Sequence, residues 1–79
     1  MGTSRTHINK VNWLRNKLVA FFEGHRDEII SKRKLLSAFA LDNSTTVRTG
    51  REILAMFEDA GYINIYGDDI TNGRKVFKP

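Results

Sequence analysis

The chain has 79 residues, a formal net charge of +4 and no cysteine. A chain of this length forms one domain with a thin core, and without cysteine it has neither disulfide cross-links nor thiolate metal sites. Because no apolar run approaches the roughly 20 residues that span a bilayer and no secretory signal is present, we expect an intracellular, cytoplasmic protein with no membrane partner.

The first predicted helix covers residues 7–23 and follows a flexible tail at residues 1–6, so the folded domain would cover residues 7–79. Thr6 is a candidate N-cap, and Gly24 supplies the stop. Six apolar residues recur on one face of this helix at helical spacing: Ile8, Val11, Leu14, Leu18, Phe21 and Phe22.

Trp13 lies on the opposite face of the first predicted helix, beside Lys17 and Ala20. An exposed tryptophan on a small domain calls for something to cover it. We therefore predict a homodimer that forms through these three residues. The alternative is that the N-terminal tail or the C-terminal strand covers the indole ring.

A short strand at Ile29 and Ile30 precedes the second predicted helix, which begins after the N-cap Ser31 and runs to about residue 40. Leu35, Leu36, Phe39 and Ala40 form its buried face, whereas Arg33, Lys34 and Ser37 point away from it. Lys32, Arg33 and Lys34 crowd the start of this helix, where the helix dipole disfavours cations. This conflict favours a functional use such as phosphate binding, and solvated surface charge is the alternative.

The third predicted helix begins at one of three capping residues, Asn43, Ser44 or Thr45, and ends at Gly61. One side carries Val47, Gly50, Ile53, Leu54 and Phe57, and the opposite side carries Thr45, Arg48, Glu52, Ala55 and Asp59, flanked by Thr49. A glycine inside a helix costs about 1 kcal/mol relative to alanine. Gly50 thus indicates either close approach of the second helix or simple tolerance.

Residues 62–66 alternate between apolar and polar side chains, with Ile63 and Ile65 on one face, and therefore predict a strand. We expect a loop at residues 67–73, a tight turn at Asn72 and Gly73, and an antiparallel return strand at residues 74–79. Because Asp68 and Asp69 would be repelled by a polyanion, either the loop points away from such a partner or Asp68 caps the turn. The element order is helix-strand-helix-helix-strand-strand, an α+β fold.

The positive charge is polarised into clusters, which favours a polyanionic partner such as nucleic acid. Short polar and basic side chains at the start of the third helix can enter a DNA major groove, and Arg48 is the best candidate for a bidentate contact with guanine. The alternative is a capped surface helix in which Arg48 and Glu52 form an ion pair worth about 0.3 kcal/mol.

Catalysis is not expected from this sequence. It has no cysteine nucleophile and no glycine-rich phosphate loop. His7 and His25 lie near opposite ends of the first helix, about 27 Å apart at the helical rise per residue, so they cannot share a site within one chain. We expect no enzyme activity, cofactor, metal ion or small-molecule ligand.

Three stretches of this chain resemble the winged-helix superfamily of DNA-binding proteins: "IISKRKLLSAFAL", "TVRTGREILAMFEDAGYI" and "NGRKVF". The resemblance covers residues 8–78. It implies a winged helix-turn-helix fold of three helices and a small antiparallel hairpin, the wing, with the third helix in the major groove. By position it also implies base-groove contacts from Thr45, Thr46, Arg48 and Thr49, phosphate contacts from Ser31 and Arg33, and a wing contact from Arg74.

We therefore predict a sequence-specific double-stranded DNA-binding protein that regulates transcription and resembles the compact regulators of archaeal viruses and plasmids. The alternatives are a winged-helix module for protein–protein interaction and a DNA-binding factor for replication or plasmid partition. The complete predicted DNA-binding set is Ser31, Lys32, Arg33, Ser44, Thr45, Thr46, Arg48, Thr49, Glu52, Arg74 and Lys75.

Overall fold

The computed structural model describes residues 2–24 and 27–73, and within residues 2–24 it describes the side chains from residue 9 onward. In these residues the chain forms three helices and three strands in the predicted α-β-α-α-β-β order. They are α1 (Gly2–Gly24), β1 (Ile30–Ser31), α2 (Lys32–Asp42), α3 (Val47–Asp59), β2 (Ile63–Tyr66) and β3 (Asp69–Asn72). The strands form one antiparallel sheet in the order β1-β3-β2.

The helix α1 begins at Gly2, so the start predicted at residue 7 is wrong. It includes most of the segment that was expected to be a tail, and Thr6 lies inside the helix instead of capping it. No proline or further glycine interrupts residues 3–6, so nothing in the sequence forces the helix to begin later. The side chain of Ile8 lies outside the described part of the chain.

The hydrophobic core lies between the three helices and one face of the sheet. The predicted apolar faces of the helices are confirmed: Leu14, Leu18 and Phe22 of α1 are buried. The remaining buried apolar residues come from the other helices and from two strands: Leu36, Phe39, Ile53, Leu54, Phe57, Ile63 and Ile70. This core holds the first turns of α2 and α3 side by side at the surface.

The helix α3 begins at Val47 with Thr46 as its N-cap, and the Oγ1 of Thr46 accepts a hydrogen bond from the backbone N–H of Thr49 (3.3 Å). The three expected caps, Asn43, Ser44 and Thr45, are therefore wrong. Any of the three hydroxyl-bearing residues before Val47 can cap a helix, so residue type alone does not choose among them.

The three expected caps instead complete the end of α2. Asn43 donates to the carbonyl oxygen of Phe39 through its backbone N–H (3.0 Å) and through Nδ2 (2.9 Å). Thr45 N–H donates to the carbonyl oxygen of Ala40 (3.0 Å), and Ser44 has a left-handed φ of 49°. These bonds satisfy carbonyl groups that the last turn of a helix leaves free, so α3 can begin only after them.

The predicted stop at Gly61 is confirmed. The helix ends at Asp59, and Gly61 has a φ of 90°, which glycine adopts without the strain that a Cβ would add. Gly61 N–H donates to the Glu58 carbonyl and Tyr62 N–H to the Phe57 carbonyl, the bond pattern of a Schellman motif. This turn leads the chain directly into β2.

The hairpin turns at Gly67 and Asp68, and β3 occupies residues that were predicted to be a loop. Tyr66 pairs with Asp69 across a two-residue turn, and Gly67 has a φ of 64°. The tight turn predicted at Asn72 and Gly73 is therefore wrong. The sequence contains two turn signals, and a glycine in the first position of a two-residue hairpin turn is one of the favoured arrangements.

Gly73 makes a close backbone contact and is not part of a turn. Its N–H donates to the carbonyl oxygen of Tyr62 (2.9 Å), and a Cβ at this position would lie 2.5 Å from the carbonyl oxygen of Gly61. Residues 74–79, where the return strand was predicted, lie outside the described part of the chain.

Gly50 lies at the contact between α2 and α3. A Cβ on Gly50 would lie 2.6 Å from Cδ2 of Leu36 and 2.7 Å from Cδ2 of Phe39, whose ring is fully buried. Close helix approach is therefore the reason for this glycine, and simple tolerance is not.

We expect Gly50→Ala to lower the free energy of unfolding by up to about 2 kcal/mol, because overpacking a core costs about 1–3 kcal/mol and the gain in helix propensity is only about 1 kcal/mol. Denaturant unfolding measures the change. Gly24→Ala is the matched control, since a Cβ there has no atom within 4 Å. Equal stability changes in the two variants would contradict the steric explanation.

Candidate nucleic-acid interface

The start of α2 is tied to the hairpin turn through Asp68. Ser31, the predicted and confirmed N-cap, accepts a bond at Oγ from Lys34 N–H (3.4 Å) and donates from the same hydroxyl to Asp68 Oδ2 (2.8 Å). Asp68 Oδ1 accepts from Arg33 N–H (2.9 Å), and its carbonyl oxygen accepts from Lys32 N–H (2.7 Å). One residue of the turn thus satisfies the first two backbone donors of α2, which no group within the helix can reach.

Hydrogen bonding lowers the pKa of Asp68 from its ordinary value of 3.8. The largest cause is the bond from the Ser31 hydroxyl, followed by the bond from the Arg33 amide. The charges of Arg33 and Lys32 lower the pKa further, while desolvation raises it. Each favourable contact stabilises the ionised carboxylate, so Asp68 carries a full negative charge near neutral pH.

A shallow cavity of about 310 Å³, which we call the basic groove, lies between α2, α3 and the hairpin turn. Three cationic side chains line it, together with one carboxylate and apolar and small residues: Lys32, Arg33, Arg51, Asp68, Leu36, Ser37, Val47 and Gly67. The cations come from two different helices, so the fold itself brings them to one site. Such a concentration of positive charge suits an oxyanion such as a phosphate group.

The structure places the expected residues of α3 in three different settings. Arg48 and Glu52 are exposed on the side of α3 that faces away from the core, where a partner can reach them. The hydroxyl of Thr46 is occupied as the N-cap, and it lies 3.3 Å from the hydroxyl of the half-buried Thr49. Arg48, the single long basic side chain predicted for α3, is therefore accessible to a partner.

The remaining expected residues are divided between the two helix starts and the undescribed C-terminus. Ser44 is exposed in the turn before α3, and Thr45 beside it is half-buried. Lys32 and Arg33 line the basic groove, whereas Ser31 is used to cap α2. The predicted wing residues Arg74 and Lys75 lie outside the described residues, so their part in the site stays a prediction.

Arg51 was missed by the sequence analysis. It is exposed, and it lines the basic groove beside Val47. The spacing held the necessary signal: Arg51 follows Val47 by one helical turn, so it lies at the edge of the buried face and not on the outer side of α3 with Arg48. Which neighbour this edge would face could not be read from the helix alone.

The expectation that Trp13 is exposed is wrong. Its ring meets the ring of Phe39 edge-on at a centroid distance of 5.7 Å, and its Nε1 donates to Asp42 Oδ2 (3.3 Å). The Lys17 ammonium lies 5.3 Å from the centre of the indole ring, on the solvent side, while Ala20 is exposed. Trp13 thus joins α1 to the end of α2, so the proposed dimer contact loses its principal apolar residue.

The side chains that the structure describes, those of residues 9–24 and 27–73, contain no cluster able to hold a metal ion. Within the same ranges no helix is long and apolar enough to cross a membrane.

No protein-family model, curated protein or solved structure matches this chain. Over the described residues the fold is a small α+β domain whose three helices and three-stranded antiparallel sheet are compatible with a winged helix-turn-helix. The resemblance to that superfamily therefore rests on the element order and on the residues of this chain alone.

We expect Asp68→Asn to destabilise the protein at neutral pH, with the difference from the wild type shrinking in acid. Because the folded state lowers this pKa, the stabilisation is fully present above 3.8 and is lost as the pH falls through the lower folded-state value. Thermal unfolding of both proteins from pH 7 down to about pH 2 measures the effect. A stability difference independent of pH would show that the charge of Asp68 contributes nothing.

Proposed function

We propose that this protein binds double-stranded DNA, with the start of α3 in the major groove and the basic groove on the adjacent phosphate backbone. The observation that carries the proposal is the convergence of Lys32, Arg33 and Arg51 from two helices on one concave site. Contacts of this type position a protein on a duplex, and side chains from a neighbouring helix read the bases.

The charge distribution along α3 supports insertion by its first turns. The first half of the helix carries two basic residues, Arg48 and Arg51, and one acidic residue, Glu52, while Glu58 and Asp59 bring two negative charges to its end. Phosphate repels carboxylates, so the N-terminal half of α3 is the part that can approach a duplex closely. In this arrangement Arg48 reads a base edge and Arg51 contacts a phosphate.

The proposal extends to sequence-specific binding as a homodimer that regulates transcription. Two copies bound to one face of a duplex would place their third helices about 34 Å apart, one turn of DNA. Since Trp13 is used within the domain, a dimer contact through α1 would have to rely on the exposed Lys17 and Ala20. Replication or plasmid partition would use the same DNA contacts.

A second candidate function is a module for protein–protein interaction. Its support is the exposure of four large apolar side chains among the described residues: Leu41 at 81%, Tyr66 at 66%, Ile29 at 54% and Met56 at 50%. Exposed apolar residues are common singly on soluble domains. The basic groove, which brings together residues distant in sequence, is the more specific feature, so DNA is the better-supported partner.

We expect Arg48→Ala and Arg51→Ala to weaken DNA binding in different ways. Loss of a base contact by Arg48→Ala would weaken binding to a preferred site, selected from randomised duplexes, by about 1–3 kcal/mol and leave random DNA less affected. Loss of a phosphate contact by Arg51→Ala would weaken both by similar amounts and reduce the magnitude of the salt slope by about 1. Fluorescence anisotropy over a range of salt concentrations measures both quantities.

Lys10→Ala is the matched control for charge, because it removes one positive charge at a position that does not line the basic groove. A loss in Lys10→Ala as large as that in Arg51→Ala would mean that only the net charge matters. An equal loss on selected and random DNA in Arg48→Ala would reassign Arg48 to phosphate binding.

We expect the affinity of the wild-type protein for duplex DNA to fall steeply with salt. If about five phosphates are neutralised per protomer, the logarithm of the binding constant should fall with the logarithm of the salt concentration at a slope of about −4 to −5. The same anisotropy titration on random duplex measures the slope. No binding at low salt would refute the proposed function and favour the protein-interaction module.

A further inference from the structure

We infer that Asp68 is a built-in competitor for the phosphate group in the basic groove and that it lowers the affinity of this protein for DNA. The inference rests on the proposed function. The residues named there favour DNA binding, whereas Asp68 opposes it. The ligand of the basic groove is an oxyanion, and in this proposal it is a phosphodiester group of duplex DNA.

The position of Asp68 places its charge where the ligand would bind. Asp68 lines the same cavity as Lys32, Arg33 and Arg51, so the groove contains three positive charges and one negative charge. A phosphate entering the groove is attracted by the cations and repelled by this carboxylate at short range. The groove therefore binds a phosphate less tightly than its three cations would alone.

The hydrogen bonds of Asp68 keep the carboxylate in this position. Its oxygens accept from the Ser31 hydroxyl and from the Arg33 backbone N–H, so both are held by uncharged donors, one from the N-cap and one from the first turn of α2. A carboxylate held only by a flexible surface cation could swing away when a phosphate displaced it, but these donors belong to the helix cap. Asp68 thus couples two effects, since the same contacts that fix the hairpin turn to α2 also limit anion binding.

Asp69 offers an internal comparison. It is also exposed and is the next residue in the chain, but it does not line the basic groove. It pairs with Ser31 and Tyr66 in the sheet through its backbone position. Asp68→Asn and Asp69→Asn therefore change the net charge equally and differ in whether the lost charge lay in the groove.

The test compares the binding of random duplex DNA by the wild type and these two variants at low salt. We expect Asp68→Asn to bind about fivefold more tightly than Asp69→Asn, with the difference shrinking as salt screens the charges. Thermal unfolding of the same samples should show that Asp68→Asn is the less stable variant. Tighter binding by a less stable protein is the combination that the inference requires, and equal affinities of the two variants would overturn it.

A second pair of variants tests the inference without disturbing the cap of α2. Ser37 lines the basic groove, whereas its neighbour Ala38 is exposed and does not line it. We expect Ser37→Asp to bind duplex DNA about fivefold more weakly than Ala38→Asp, because only the first adds a carboxylate to the groove. This pair remains decisive if Asp68→Asn fails to fold, and equal affinities here would again contradict the inference.

Titration with inorganic phosphate separates this inference from the proposed function. Amide chemical shifts of Arg33 and Gly67, at the two walls of the groove, report its occupancy. Stronger phosphate binding by Asp68→Asn than by Asp69→Asn, in a protein that does not bind duplex DNA, would uphold the competitor role and refute DNA binding. Duplex binding with no difference between the two variants would support DNA binding and refute the competitor role of Asp68.

Discussion

The contact of α2 with α3 at Gly50 determines where the candidate site lies. A side chain at this position would meet Leu36 and Phe39 at distances that no packed core accepts, so the helices can approach only because residue 50 has none. Leu36 also lines the basic groove. The spacing of the two helices in the core therefore sets the distance between the cations of α2 and Arg51, the residue that follows Gly50.

The hairpin turn completes this arrangement from outside the core. The helix α2 begins with two cations in its first turn, Lys32 and Arg33, which the positive end of the helix dipole disfavours. Asp68 places a negative charge at the same helix end and accepts backbone N–H groups that would otherwise need water. The cations at the start of α2 are thus stabilised by a residue distant in sequence, and the sheet is held against the helix by the same bonds.

The sequence predicted the elements that depend on local periodicity and capping. Spacing and residue type predict the apolar faces of all three helices, the N-cap Ser31 and the stop at Gly61, and each is confirmed. The strand predicted at residues 62–66 is also confirmed and covers Ile63–Tyr66. The predicted caps of α3 failed for a local reason, because Asn43 and Thr45 use their hydrogen bonds to finish α2. The position of the hairpin turn was predicted wrongly because the sequence contains two glycine-containing pairs that suit a tight turn, Gly67 with Asp68 and Asn72 with Gly73.

The candidate site was harder to predict, because its decisive contacts join residues far apart in the chain. Ser31 and Asp68 are separated by 37 positions, and Trp13 and Asp42 by 29. A helical wheel places Trp13 opposite the main apolar face of α1, but it cannot show that the end of α2 covers that flank. Arg51 could not be predicted for the same reason. It belongs to the site because the start of α2 lies beside it, which the sequence of α3 does not show.

The balance between stability and binding follows from these contacts. A groove lined only by cations would attract phosphate more strongly, but the first turn of α2 would then lose an acceptor and the hairpin turn would lose its attachment. Uncompensated positive charge at a helix N-terminus also works against folding, and a domain of this size has little stability to spare. Asp68 stabilises the fold through these hydrogen bonds, and its negative charge reduces the attraction of the basic groove for anions. In the proposed DNA complex, Lys32, Arg33 and Arg51 would supply the phosphate affinity that remains, and the exposed Arg48 would contact a base edge.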